Sequence, residues 1–524
     1  MNSEAYTVPD EQLAGLSVSA VLSDTQGKIL VLPDGKVTIL ESGRGIFGAI
    51  AESRKLFFRG GKVHEILSEG REAKRLEPVT PTRFRSVIEA HGTVMAWRAG
   101  KDGSEVLKKV LCPEQTASAL LASDPAREML PHIAVLSGCP VLARTNEGAR
   151  VLASGWHDFN GGLYVTGGDE PPAVPLEEAV RALRGILEDF DFAGPGDRSR
   201  AVASLISPAL YFGGWLRGHL PIDIGEADQS QSGKTYRQKI IAAIYRETCN
   251  VVTQRSGGVG GLDESISQKL IDGRPFVLLD NLRGKFDSPY LESVLTAPGT
   301  MPARVPHRGE VKVDPRGFVF QLTSNGVETT RDLANRSNHI RIRKRPSSYA
   351  FRTFPEGDLH AHVTARQGYY LGCVFSVLWD WIQRGEPRTD EARHDFRDWA
   401  QRLDWIVCNT FGEAPLLEGF SEARERVSDP RRTWLRLLCI KVREENKAGD
   451  FSASDLAERC LEWETMPPGA SAASDTKSLS LRIGIVMGQI FKEGSEIEVD
   501  GFKIRRERRY VQSCAKEMAF YRFE

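Results

Sequence analysis

The tripeptide Gly233-Lys234-Thr235 joins a glycine, a lysine and a hydroxyl side chain, a combination that can bind phosphate and a metal ion. It ends a polar loop between the β-type run LPIDIGEA and the amphipathic helical pattern YRQKIIAAIYRE. At such a strand–loop–helix junction, backbone N–H groups and the helix start face phosphate, the lysine reaches the β- and γ-phosphates, and the threonine hydroxyl holds Mg²⁺. The interpretation is a loop that binds ATP and Mg²⁺, and the alternative is a chance tripeptide. The residues predicted to contact the nucleotide are Asp228, Gln229, Ser230, Gln231, Ser232, Gly233, Lys234 and Thr235.

Three polar signals follow downstream in order. RPFVLLDNL predicts a buried parallel strand that delivers Asp280 to the magnesium, although an ordinary core strand with an Asp-Asn turn would read the same way. GFVFQLTSN predicts a second such strand ending at Asn325, whose amide could hold the attacking water, although many strands end in Ser-Asn. Arg336 precedes a further alternating strand and could reach a neighbouring subunit's nucleotide, or it could be a solvated arginine. Lys234 to Asp280 is 46 residues and Asp280 to Asn325 is 45, so each signal sits one strand–helix unit after the last.

The stretch from about Asp223 to Arg345 resembles the superfamily 3 helicases and related AAA+ ATPases of phages, plasmids and mobile genetic elements, including the helicase part of phage-type primase-helicases. In that pattern Lys234 and Thr235 match the Walker A motif and Asp280 matches the Walker B motif. Asn325 matches sensor 1 and Arg336 the arginine finger. The resemblance implies that Thr235 and Asp280 hold Mg²⁺, that Asn325 positions water, and that Arg336 stabilises the transition state in trans.

Two residues depart from the family pattern. Asp228 stands at the first loop glycine, a position that mostly serves tight backbone turning, and its charge would repel phosphate if it pointed inward. Asn281 stands where many relatives have a second acidic residue. An amide at this catalytic position can orient water but cannot accept its proton, so we expect slow hydrolysis or the use of another carboxylate.

Two basic segments are candidates for DNA contact. APGTMPARVPHRGEVKVDPRG predicts a hairpin, and in superfamily 3 helicases a hairpin here projects into the channel of a hexameric ring and grips single-stranded DNA; the alternative is a solvated basic loop. Near the C-terminus, two predicted helices precede EIEVDGFKIRRERRYVQ, read as two strands about Asp500-Gly501, which together resemble a winged helix that lies on duplex DNA. A charged edge strand that prevents aggregation is the alternative. The predicted DNA-binding residues are Arg304, His307, Arg308 and Lys312 in the first segment, and Lys503, Arg505, Arg506, Arg508 and Arg509 in the second.

Composition limits the class of protein. The 524 residues favour several domains, and 69 basic against 70 acidic residues create no global field that attracts DNA or membrane. The eight cysteines have no paired spacing, so we expect reduced, mostly buried thiols. With neither a signal peptide nor an apolar run of membrane-spanning length, the expectation is a cytoplasmic protein without membrane contact.

The helix and strand patterns divide the chain into four predicted domains. The fold class is α/β: an AAA+ P-loop ATPase core with a helical lid, a mixed α+β N-terminal domain and a C-terminal winged helix. In the first domain, GKVTIL is read as a strand and KLFFRGGKVHEI as two strands around Gly60-Gly61, and AGPGD is read as a linker whose Asp197 caps the next helix. The domains are residues 1–195, 196–348, 349–428 and 429–524.

The predicted function is an ATP-dependent DNA helicase or translocase, a hexameric ring that acts in replication of a phage or mobile genetic element. ATP and Mg²⁺ are the cofactors. Its partners would be single-stranded DNA in the pore and duplex DNA at the winged helix, with a separate primase or initiator as a further candidate. No metal cluster or acidic triad for priming was found in the first 195 residues, which could form a collar, bind DNA or recruit a partner. The alternative is a DNA-bound, ATP-dependent switch, an initiator or defence-system ATPase, that assembles on nucleotide binding without unwinding.

Overall fold

The computed structural model describes residues 29–68, 74–100, 104–227, 231–252, 261–282, 285–286, 288–305, 309–324, 328–445, 449–470, 475–491, 494–499, 502–512 and 516–524. The described residues fall into two compact units. The first unit lies within Met1–Leu282, Ser288–Asn325 and Arg336–Glu418, and the second within Arg283–Asp287, Gly326–Asn335 and Gly419–Glu524. The predicted four-domain division stays a prediction.

Helices and strands alternate along the chain. The helices are α1 (Ile39–Ala51), α2 (Pro81–His91), α3 (Glu114–Leu121), α4 (Asp124–Met129), α5 (Leu176–Ile186), α6 (Pro195–Phe212), α7 (Lys234–Ile244), α8 (Leu262–Asp272), α9 (Pro289–Val294), α10 (Arg331–Asn335), α11 (Leu359–Ala365), α12 (Gln367–Gln383), α13 (Arg397–Trp405), α14 (Phe420–Ser428), α15 (Pro430–Glu444), α16 (Ala453–Glu462) and α17 (Thr476–Ile490). The strands are β1 (Ile29–Val31), β2 (Leu56–Arg59), β3 (Lys62–Leu67), β4 (Arg75–Pro78), β5 (Thr93–Ala99), β6 (Glu105–Lys109), β7 (Val135–Ser137), β8 (Val141–Thr145), β9 (Gly148–Leu152), β10 (Gly155–His157), β11 (Leu163–Val165), β12 (Asp191–Phe192), β13 (Ile222–Glu226), β14 (Asn250–Val252), β15 (Phe276–Leu282), β16 (Lys285–Phe286), β17 (Met301–Val305), β18 (Gly309–Val313), β19 (Val319–Ser324), β20 (Glu328–Thr329), β21 (Ser337–Arg343), β22 (Asp450–Ser452), β23 (Glu496–Val499), β24 (Phe502–Val511) and β25 (Lys516–Phe523).

A six-stranded sheet forms the centre of the first unit. Its strand order is β12-β21-β13-β19-β15-β14, and all neighbours are parallel except the edge pair β12 and β21. The strands β13, β15 and β19 are buried almost throughout, which explains their continuous apolar runs. The predicted parallel strands are therefore confirmed, and their carboxyl ends meet at one edge of the sheet.

The order of strands decides what meets at that edge. The strand β19 lies between β13, which leads into the phosphate loop, and β15, which carries Asp280. The polar residues at the end of β19 therefore stand between the two predicted phosphate and magnesium motifs.

The described residues between 29 and 190 form small sheets with helices beside them. The hairpin of β2 and β3 around Gly60-Gly61 is confirmed. The reading of GKVTIL as a strand is wrong, because Thr38 caps the start of α1 with a capping box completed by Glu41. A local hydrogen-bonded cap overrides the β-branched composition of this short run.

The predicted linker AGPGD is also corrected. The helix α6 begins at Pro195, so the last three residues of the stretch belong to the first turn of a long buried helix. Asp197 lies inside that turn, where its Oδ1 accepts from Arg200 Nη2 at 2.9 Å and from the backbone N–H of Arg341 at 3.0 Å. Its role is to join α6 to the central sheet.

The segment between β15 and β19 contains the predicted hairpin. The strands β17 and β18 pair antiparallel, with Arg304 opposite Glu310 and Pro302 opposite Lys312. Ala303, Val311 and Val313 face the interior, while Arg304 and Lys312 are exposed. One face of the hairpin is therefore apolar and packed, and the other carries the charges.

Helices dominate the rest of the first unit. In the region predicted to be a helical lid, α13 continues as a π-helical turn, Ile406–Thr410. The helices α11 and α12 contact α7, with Tyr236 Oη accepting from the His360 N–H at 2.9 Å and Gln367 donating to the Ile244 carbonyl at 2.8 Å. Whether this helical segment acts as a lid stays a prediction.

The second unit has a four-stranded antiparallel sheet in the order β22-β25-β24-β23. The helices α15, α16 and α17 share an apolar core with it that includes Leu435, Leu456, Ile483 and Tyr521. The strands predicted on each side of Asp500-Gly501 are present, although the two turn residues lie outside the described range. Sequence reading missed β25, which lies between β22 and β24. The winged-helix assignment stays a prediction.

No helix in the described part of the chain is long and apolar enough to cross a membrane. Seven cysteines are described, all as free thiols, and five of them are buried.

Candidate active site

The described end of the predicted phosphate loop makes a tight turn into α7. Gln231 and Gly233 both have left-handed backbone conformations, with φ of 61° and 92°. A Cβ atom on Gly233 would lie 3.1 Å from the Phe190 ring, so a glycine suits both the backbone angle and the space. Lys234 is the first residue of α7 and is only 8% exposed, and its Nζ donates to Ser232 Oγ at 3.4 Å. The lysine is therefore held at the start of the helix, against the loop.

A buried ion pair attaches α7 to β13. The Arg237 guanidinium binds both carboxylate oxygens of Asp223, with 3.2 Å between Nη1 and Oδ2. Gln238 Nε2 donates to the Asp223 carbonyl at 3.1 Å and to its Oδ1 at 3.0 Å. Removing one partner of a buried pair typically costs about 3–5 kcal/mol, so these contacts fix the helix that presents Lys234. Sequence reasoning missed this cluster, for which the signal was a charged residue within the apolar run LPIDIGEA.

Three oxygen-bearing side chains meet at the carboxyl edge of the sheet. Thr235 Oγ1 donates to Asp280 Oδ1 at 2.7 Å, and Thr323 Oγ1 donates to the same oxygen at 2.6 Å. The two hydroxyls are 3.4 Å apart. Hydroxyl and carboxylate oxygens are the ligand type that Mg²⁺ prefers. The donor set therefore fits a magnesium ion, and it brings together the two residues predicted to hold one.

Asn281 follows Asp280 in a distorted part of β15. Its φ is 54°, and the pairing of β15 with β19 shifts register between Leu279 and Leu282. The Asn281 N–H donates to Thr323 Oγ1 at 2.9 Å, and the Asn281 residue is exposed. A bulge of this kind re-aims side chains at the end of a strand. Thr323 thus hydrogen-bonds both Asp280 and the backbone of Asn281. The sequence showed only that Thr323 lies in the polar Thr-Ser-Asn cluster at the end of a strand and did not predict this role.

Several predicted site residues lie outside the described residues. They are Asp228, Gln229 and Ser230 of the loop, Asn325 of the predicted sensor, and His307 and Arg308 of the hairpin tip. Their predicted roles stay predictions.

Arg336 lies at the opposite edge of the sheet from Asp280. Its carbonyl accepts the N–H of Ile222, the first residue of β13, at 3.1 Å. Because β13 and β21 are parallel, Arg336 is level with the amino end of β13, roughly 13 Å of strand away from Glu226. Arg336 is therefore remote from the phosphate loop of its own chain.

The basic residues of β24 are not equivalent. Arg505 pairs with Glu496 at 2.8 Å, and Arg509 pairs with Asp450 at 2.6 Å and also with Glu507. Arg506 lies over the Phe491 ring, 5.7 Å from its centroid. Within the described residues, Lys503 and Arg508 have no carboxylate within ion-pair distance, and both are exposed. Glu496 and Asp450, on other strands, offset the charges of two of the five predicted DNA-binding residues. The contact of these residues with DNA stays a prediction.

The N-terminal part of the first unit contacts the hairpin. Lys312 donates its backbone N–H to the Gly60 carbonyl at 3.3 Å. A Cβ on Gly60 would lie 2.0 Å from the Lys312 carbonyl oxygen, so only glycine fits here. Arg59 is buried and donates to the carbonyls of Ile271 and Leu270, at the end of α8, at 2.6 and 2.8 Å.

Comparison with known proteins gives weak similarities only. No protein-family model and no curated protein matches the sequence. Among solved structures, the NrS-1 C-terminal region in its apo A form is 10% identical over 91% of this chain and 99% of that chain, with a TM-score of 0.37. SCCmec type IV Cch, described as an active helicase, is 13% identical over 85% and 81%, with a TM-score of 0.31. A JCV helicase bound to an acetamide compound is 16% identical over 46% and 74%, with a TM-score of 0.21. TM-scores this low carry no functional argument, so any function must be inferred from the residues of the site.

Proposed function

We propose that the first unit binds ATP with Mg²⁺ and hydrolyses it. The observation that carries this proposal is the contact of Thr235 Oγ1 with Asp280 Oδ1 at 2.7 Å, at the carboxyl edge of a parallel sheet. Residues 45 positions apart in sequence converge there, directly beside Lys234 and the helix start. A chance Gly-Lys-Thr tripeptide does not explain a carboxylate from a different strand at this distance.

The residues have separable roles in this proposal. Lys234 neutralises phosphate charge, and the N-terminus of α7 adds its positive dipole. Thr235 and Asp280 would hold the Mg²⁺, which would neutralise phosphate charge. Thr323 is a positioning residue that fixes the Asp280 carboxylate. Asn281 orients water through its amide but does not accept a proton.

We further propose that the enzyme is a DNA helicase or translocase that works as a ring. The remoteness of Arg336 from its own phosphate loop supports a role at the nucleotide of a neighbouring subunit. The exposed face of the β17–β18 hairpin, with Arg304 and Lys312, supplies positive charge for a DNA backbone. Both features fit a hexamer that has single-stranded DNA in its pore and acts in replication of a mobile element or phage.

A second candidate function is a DNA-bound ATP switch that assembles without unwinding. The observation that favours it is Asn281, an exposed amide where a general base would be useful. Nucleotide binding would then persist while turnover stayed slow.

Strand displacement on forked DNA distinguishes the two functions. The wild type is assayed with ATP, with a non-hydrolysable analogue and without nucleotide, and Lys234→Ala is the matched control. Unwinding with ATP alone supports the helicase. Assembly on DNA with either nucleotide, without unwinding, supports the switch. Absence of nucleotide binding by the wild type would overturn both.

A further inference from the structure

The second unit contains an open cleft of ≈ 430 Å³ that none of the assignments above uses. Residues of α10, α14, the start of α15, the end of α17 and β23 line it. Its charged residues are Arg331, Arg424, Arg431, Arg432, Glu425 and Asp429. Four arginines face two carboxylates, so the cleft has a net positive charge.

Among the residues that the structure describes, the ion pairs of the cleft leave two arginines without an acidic partner. Arg431 Nε is 3.3 Å from Asp429 Oδ1, and Arg432 Nη1 is 3.7 Å from Glu425 Oε2. Across the described residues, neither Arg331 nor Arg424 has a carboxylate within ion-pair distance. Both are available to an anion from outside the chain.

The two arginines stand on helices that pack together. Arg424 Nη1 donates to Asn335 Oδ1 at 3.4 Å, which links α14 to the last residue of α10. Leu333 of α10 is buried, and α10 contacts α14. Arg331, at the first position of α10, and Arg424 therefore belong to one packed element.

We propose that this cleft binds a backbone phosphate of the nucleic acid, with Arg331 and Arg424 supplying the charge. The guanidinium fork matches phosphate oxygens bidentately, and Ser428 and Gln489 add hydrogen-bond donors beside it. The cleft is open to solvent, as a site for a long polyanion must be. The proposal rests on the proposed DNA-dependent function and adds a contact that neither the hairpin nor β24 provides.

The position of α10 gives this contact a consequence for hydrolysis. Asn335, the last residue of α10, is followed directly by Arg336. A phosphate bound by Arg331 fixes α10, the helix that directly precedes Arg336 in the sequence. DNA in the cleft then stimulates hydrolysis by ordering the residue that acts on the neighbouring nucleotide.

The test uses the full-length double variant Arg331→Gln, Arg424→Gln. Affinity for fluorescent single-stranded and duplex DNA is measured without nucleotide at several salt concentrations. The slope of log affinity against log salt should fall by about one for each arginine that neutralises a phosphate, with about tenfold weaker binding at low salt. Stimulation of hydrolysis by DNA should fall with it. Lys441→Gln is the control, since this ammonium pairs with Glu444 near the other end of α15 and should leave both measurements unchanged.

A gain of affinity provides the second arm. Glu425→Gln releases Arg432, so DNA should bind a few-fold more tightly and with a steeper salt slope. An unchanged slope in the double variant together with an unchanged affinity in Glu425→Gln would overturn the proposal. A nucleotide as the ligand of the cleft is tested separately, by ATP binding in a Lys234→Ala background. If the residual ATP binding disappears with Arg331→Gln, Arg424→Gln while DNA affinity does not change, the cleft binds a nucleotide and the nucleic-acid assignment is overturned. The DNA measurement contains no nucleotide, so failure of the ATPase proposal would leave it interpretable.

Discussion

Replacing Thr323 by valine should weaken Mg²⁺-dependent ATP hydrolysis without altering the fold. Valine keeps the shape of threonine but has no hydroxyl. The change removes the 2.6 Å hydrogen bond from Thr323 Oγ1 to Asp280 and the acceptor of the Asn281 N–H. Asp280 then has one hydroxyl partner, Thr235, in place of two.

The expected size of the effect follows from the charge of the acceptor. A hydrogen bond to a charged group contributes about 1.5–3 kcal/mol, which corresponds to roughly 10- to 100-fold in an equilibrium or rate constant. Residues that orient a metal ligand commonly have effects of this size. We expect a loss of about 10- to 100-fold in hydrolysis at limiting Mg²⁺, part of which excess Mg²⁺ restores.

The assay is steady-state phosphate release as a function of Mg²⁺ concentration. Thr323→Ser keeps the hydroxyl and should retain most activity. Ser324→Ala is the control on the same strand, since its hydroxyl donates to the Leu282 carbonyl at 2.8 Å rather than to Asp280. If Thr323→Val hydrolyses ATP with an unchanged Mg²⁺ dependence, the reasoning that Thr323 positions Asp280 is refuted.

Four further predictions concern other residues. Lys234→Ala should abolish hydrolysis and leave the circular dichroism spectrum unchanged, and Asp228→Gly should bind fluorescent ATP as well as or better than the wild type; retained turnover in the first variant would contradict the loop assignment. Arg336→Ala should bind ATP but hydrolyse it about 10³-fold more slowly, and mixing it with Lys234→Ala should restore activity at mixed interfaces, whereas no rescue in exchanging subunits would exclude action in trans. On β24, Arg508→Gln should lower the salt slope of DNA binding by about one while Arg509→Gln has a smaller effect, because Asp450 and Glu507 already offset Arg509; equal effects would contradict this distinction. Burial and the nearby Arg59 lower the pKa of His64 to about 3. The unfolded chain therefore binds more protons than the folded chain below about pH 6.5, and the free energy of unfolding should fall by about 1.4 kcal/mol between pH 7.5 and 5.5. Chemical denaturation of His64→Leu should lack this part of the loss.

The local elements of the site could be predicted from the amino-acid sequence. The run LPIDIGEA, the Gly-Lys-Thr tripeptide and the following amphipathic pattern predicted β13, the loop end and α7, because each depends on residues close in sequence. The strands that carry Asp280 and Ser324 and the β17–β18 hairpin were predicted for the same reason. The secondary-structure predictions were wrong where a few residues determine whether a helix begins, as at the Thr38 cap and at the start of α6 at Pro195.

Which of these elements are neighbours depends on the tertiary structure and could not be predicted. The position of β19 between β13 and β15 brings Thr323 to Asp280, and the bulge at Asn281 follows from how β15 pairs with β19. The tertiary structure also paired Arg505 and Arg509 with acids on other strands and grouped α10 with the C-terminal residues. These contacts join residues far apart in sequence, and strand order and register are set by the burial of whole faces rather than by the residues of any one strand.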